Sequence, residues 1–87
     1  MGVRERLSDN HGGDLLFADG YDSCIIGVSI GSDHSRVVYD IQKMVEVCIK
    51  ELAIDESEAW EWLEYNTFCA YVGENTPIYV DSAIDLY

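Results

Sequence analysis

Behind Asp40, apolar residues recur as Ile41, Met44, Val45, Cys48, Ile49 and Leu52, which is the i, i+3, i+4, i+7, i+8, i+11 spacing of one helical face. That stripe constrains the fold more than any other feature, because a helix with one apolar face must bury it against the rest of the same domain. Asp40 supplies the oxygen of an N-cap. Glu46 and Lys50 form a favourable i,i+4 pair on the opposite side. Eighty-seven residues make one domain, and a chain of this size hides only about two-thirds of its unfolded surface on folding. At 48% hydrophobic and 11% aromatic, it holds enough apolar material for a core despite a net charge of −12.

A second helix is expected from Asp55. The spacing Asp55-x-x-Glu58 resembles a capping box, with Ile54 and Ala59 as the flanking hydrophobic staple. Steps of about 100° per residue put Ala59, Trp62, Leu63 and Asn66 on one side. Glu58, Glu61, Glu64 and Tyr65 cover the other, Trp60 falls on the boundary, and the pattern ends near Asn66.

Four segments read as strands. Cys24–Ile30 is β-branched and enclosed by turn residues, with Gly27 as a bulge or close-packing point. Arg36–Tyr39 pairs with it as a hairpin through Gly31–Ser35. Thr67–Val72 and Pro77–Val80 follow, joined by the turn Gly73-Glu74-Asn75-Thr76. The sum is a β-β-α-α-β-β order: an α+β fold with a small antiparallel sheet of about four strands and two helices on one face. Residues 1–14 show no periodicity and read as a disordered tail, leaving 15–87 as the single domain.

Charge is distributed one-sidedly. Lys50 is the last base, and Glu51 to Tyr87 carries nine acids in 37 residues. Such a segment repels itself and points to a basic partner. It argues against anionic lipid and against direct nucleic-acid binding, both of which call for Lys and Arg. No apolar stretch has the length of a membrane span or the form of a signal peptide. Three widely spaced cysteines, Cys24, Cys48 and Cys69, read as buried free thiols, which suits a reducing cytosol.

Catalytic patterns are weak. Asp33-His34-Ser35 are adjacent, whereas a nucleophile–base relay needs side chains converging from separate positions, so the stretch reads as a polar hairpin turn. His11 lies in the expected tail. No His or Cys pair has zinc-like spacing, Asp19-Gly-Tyr-Asp22 is too short for a calcium loop, and glycine-rich phosphate loops are absent. A sponge for anionic nucleotides would have only Arg36, Lys43 and Lys50 to use in the folded region. Neither an enzyme nor a cofactor is expected.

Several phrases carry a resemblance: Asp22-x-Cys-Ile-Ile-Gly27, Arg36-Val-Val-Tyr-Asp40, Glu58-Ala-x-Glu-x-x-Glu-Tyr-Asn66, Ala70-Tyr-Val-Gly-Glu74 and Thr76-Pro-Ile78. Together, over about Gly20 to Val80, they resemble short acidic proteins of tailed phages and prophages. The resemblance implies a viral accessory protein and supplies no catalytic residues. Such proteins are similar in kind to anti-CRISPR and other anti-defence inhibitors. The expectation is a non-enzymatic inhibitor in the host cytoplasm, bound to the basic nucleic-acid-binding surface of a defence protein such as a CRISPR effector. Glu56, Glu58, Glu61, Glu64 and Glu74 would imitate the charge of a phosphate backbone, and Trp60 would anchor the contact. The alternative is a phage structural subunit that forms homo-oligomers through apolar surface.

Overall fold

The computed structural model describes residues 2–11, 15–30, 35–68, 73 and 75–81. Its centre is a short mixed sheet. Strand β1 (Ile25–Val28) runs antiparallel to β2 (Val37–Asp40), pairing Ile25 with Tyr39, Gly27 with Val38 and Val28 with Val37. The register slips between Ile25 and Gly27, so the bulge expected around Gly27 is present and leaves Ile26 half-exposed. Beyond the ladder, the Ser29 N–H donates to the Arg36 carbonyl at 2.8 Å and the Arg36 N–H donates to Ser29 Oγ at 3.1 Å. The rest of the expected hairpin loop, residues 31–34, lies outside the described residues.

Strand β3 (Ile78–Val80) lies on the other side of β2 and is parallel to it, with Val38 opposite Ile78 and Asp40 opposite Val80. This corrects the expected antiparallel sheet of about four strands: the described residues form three, in mixed orientation. A parallel pair needs a long crossover, and the two helices between β2 and β3 provide it. The expected strand Thr67–Val72 is also corrected at its start, since Thr67 and Phe68 belong to a π-helical turn, Glu64–Phe68. Residues 69–72 lie outside the described residues.

The crossover holds α2 (Ile41–Leu52) and α3 (Glu56–Leu63). Asp40 caps α2 as expected, its Oδ1 accepting the Gln42 N–H at 3.0 Å. Met44, Val45 and Cys48 of the apolar stripe are buried, but Leu52, the last of it, is 43% exposed. Ala53 ends the helix in the left-handed region, at φ 54° and ψ 44°. Asp55 caps α3, its Oδ1 accepting the Glu58 N–H at 2.8 Å. Ala59 and Leu63, one turn apart, are fully buried.

These helices and β2 close a core of Leu15, Cys24, Val37, Tyr39, Met44, Val45, Cys48, Ala59 and Leu63. Burying an aliphatic side chain of this size contributes about 1.5–3 kcal/mol. The Tyr39 hydroxyl, wholly buried, accepts the Ala18 N–H at 2.7 Å. From Tyr39 a run of rings leads outward: Tyr79 stacks on it at 5.7 Å, Phe68 lies 5.0 Å from Tyr79, and Trp60 meets Phe68 edge-on at 6.4 Å.

The expected N-terminal tail is a helix, α1 (Val3–His11). Its sequence gives no amphipathic signal, and tertiary contacts hold it. Arg4 Nε donates to both carboxylate oxygens of Asp22 at 2.8 and 3.0 Å, and its outer nitrogen reaches Asp19 at 3.2 Å. The guanidinium also lies 4.9 Å from the centre of the Phe17 ring, and Leu7 packs against the core. Of the Arg4 contacts, the pairing with Asp22 is the shortest, a charge-assisted bond in which one N–H is shared between both carboxylate oxygens.

Candidate functional site

Ala59 and Leu63 define the buried face of α3. On a helical wheel Trp60 and Trp62 flank that face on opposite sides, each about 80° from its centre. What covers each flank therefore decides its fate. On the Trp60 side stands Phe68 at the end of the π-helical turn, and Trp60 is half-buried against the core. On the Trp62 side stands the end of α2, which leaves Trp62 46% exposed.

An open groove of about 740 Å³ results on that flank, lined by Leu52 and Ile54 from the α2–α3 junction and by Glu58, Glu61, Trp62, Tyr65 and Asn66. Tyr65 is 88% exposed. Asn66 fastens the far end, its side-chain amide donating to the Trp62 carbonyl at 2.9 Å. The near end turns on Ala53, whose left-handed backbone is unfavourable for a residue with a Cβ. The two residues beside it, Leu52 and Ile54, both line the groove. The strained joint thus sets the angle at which α3 leaves α2.

The expected contact residues divide accordingly. Glu58 and Glu61 stand in the groove wall. Glu56 and Glu64 are exposed on α3 and its extension but do not line the groove. Trp60, expected as the anchor, packs inward instead, and Trp62 takes the open position. Glu74 lies outside the described residues. Sequence reasoning missed Leu52, Ile54, Trp62, Tyr65 and Asn66. The available signal was a second tryptophan two positions from the first, which a helix turns to the opposite flank.

Among the described residues, no Lys or Arg pairs with Glu56, Glu58, Glu61 or Glu64, whereas Arg4 pairs with Asp19 and Asp22. A groove with an apolar floor and unpaired carboxylates at its wall suits a cationic group carried on an apolar body. Nucleophilic chemistry has less support. Burial pushes the thiols of Cys24 and Cys48 up, away from the reactive thiolate. Asp33 and His34 lie outside the described residues, and the Ser35 carbonyl accepts from the Asn75 amide at 3.0 Å. Among the described residues no cluster of three His, Cys, Asp or Glu side chains is placed to hold a metal ion, and no helix is long and apolar enough to cross a membrane.

Comparisons of the chain with protein-family models, with curated proteins and with solved structures return no match.

Proposed function

We propose that this protein is a non-enzymatic, phage-type inhibitor that acts in the host cytoplasm by occupying the basic surface of a nucleic-acid-binding defence protein, such as a CRISPR effector. One observation carries the reading. The exposed acids of α3 have no neutralising base among the described residues, and two of them stand beside exposed Trp62 and Tyr65. Charge of one sign steers a basic partner at long range, and aromatic anchors slow its departure. A surface built for a phosphate backbone would accept such carboxylates for the same electrostatic reason.

The test is capture from host lysate on the immobilised full chain at low salt, followed by challenge with duplex DNA or RNA. The expected result is a nucleic-acid-binding protein that competitor nucleic acid displaces and that rising salt releases. Inhibition of that protein by the purified chain completes the test. A captured protein that stays bound when saturated with nucleic acid would overturn the reading. Homo-oligomerisation is the second reading, favoured by the exposure of Leu52, Trp62 and Tyr65. It predicts self-association that resists salt.

A further inference from the structure

The groove beside Trp62 adjoins a second hollow of about 350 Å³, whose lining includes Tyr21, Val47, Glu51 and Thr67. Leu52 and Trp62 line both. We propose that the two hollows form one docking surface for a cationic amphipathic segment of a partner protein. Its apolar side chains would seat on both sides of the Leu52–Trp62 wall, and its lysines or arginines would meet Glu58 and Glu61 in one hollow and Glu51 in the other. The inference rests on the preceding reading and names how such a partner is held.

Charge complementarity selects this occupant. Glu51, Glu58 and Glu61 are exposed and pair with no base among the described residues. Asp19 also lines the second hollow, but it already holds Arg4 at 3.2 Å, so it adds little attraction. Neither lining contains a Lys or Arg to receive a phosphate, which disfavours nucleic acid and anionic headgroups. A second copy of this chain would bring another −12 of charge and set carboxylates against carboxylates. A purely charged strip is also a poor fit, because the shared wall is a leucine and a tryptophan, each nearly half-exposed. An amphipathic segment laid into an apolar groove is a general mode of recognition that satisfies both requirements.

The experiment measures fluorescence anisotropy of a labelled synthetic Lys/Leu amphipathic helical peptide titrated with the full chain. The comparison probe has the same charge with every Leu replaced by Ser. The Leu peptide is expected to bind at least about tenfold more tightly. Trp62→Ala and Tyr65→Ala should each weaken it by about tenfold. Tyr65, at 88% exposure, is the variant that cannot disturb the core. Glu58→Gln with Glu61→Gln should weaken binding more than Glu56→Gln with Glu64→Gln, although both pairs remove the same charge. Equal binding of the two peptides, indifference to Tyr65→Ala, or equal effects of the two Gln pairs would overturn the proposal. So would sedimentation showing a dimer that Tyr65→Ala dissociates. The peptide measurement uses no host protein, so it separates the two readings. Host binding indifferent to Tyr65→Ala refutes the docking surface alone. Peptide binding without any nucleic-acid-binding host partner refutes the inhibitor reading alone.

Discussion

Replacing Asp55 by Ala removes the one side-chain oxygen that caps α3 and so tests how that helix is held. The helix has eight residues, fewer than the roughly 12–15 at which an isolated helix persists in water. It depends on burial of Ala59 and Leu63 and on its cap, the 2.8 Å bond from the Glu58 N–H to Asp55 Oδ1. Because the site is exposed, water replaces the lost acceptor, and the cost is that of a lost cap, about 1 kcal/mol, rather than of an orphaned buried donor. An 87-residue domain unfolds with an entropy of about 0.18 kcal/mol per kelvin, so the midpoint should fall by about 5 °C. Asp55→Asn keeps an oxygen in place and should melt within about 1 °C of the parent. Thermal melts followed by circular dichroism read both variants. An unchanged midpoint for Asp55→Ala, or an equal fall for Asp55→Asn, would refute the claim that this oxygen holds the first turn.

Reversing Glu58, Glu61 and Glu64 to Lys, three changes of two units each, moves the net charge from −12 to −6 without touching a buried residue. Association with a basic partner should slow by about tenfold or more at low salt, read by stopped-flow, and an unchanged rate would leave α3 a merely solvated surface. Ala53→Gly should raise stability by about 0.5–1 kcal/mol in urea titrations, because glycine tolerates φ 54° and its greater chain entropy offsets only part of the gain; a destabilised variant would refute the strain. Burial raises the pKa values of Cys24 and Cys48 from an ordinary value near 9, and of Tyr39 and Tyr79 from near 10. The unfolded chain therefore releases these protons first, so their contribution is full below about pH 9 and is lost as pH rises through the raised folded-state values. Urea midpoints should fall as pH rises above about 9, and a flat profile would refute the sign.

Local signals in the sequence proved sufficient where the structure they specify is local. Asp40 and Asp55 each have their partner within three residues; the Asp40 cap forms as read, and of the capping box the Asp55 half forms. The β1–β2 hairpin likewise joins near neighbours. Helix α1 was not legible because Arg4 finds Asp19 and Asp22 only in the folded chain. The parallel strand was missed because pairing of Val38 with Ile78 depends on the path of everything between them. The groove was half legible. Its acids follow from composition and helical spacing, but Trp60 and Trp62 flank the buried face symmetrically. Only the positions of Phe68 and Leu52 decide which ring is covered.

The parallel pairing of β2 with β3 also orders assembly in time. The hairpin and α2 close short loops, whereas β3 must wait until the chain has passed through both helices, a larger loss of chain freedom before any contact rewards it. The Tyr39–Tyr79 stack and the 3.0 Å bond from the Gln42 amide to Asp81 therefore arrive with the last event. No residue of β3 lines either hollow beside Trp62. The α2–α3 surface can thus form ahead of the finished sheet, and a transient release of β3 would open the sheet edge while leaving that surface standing.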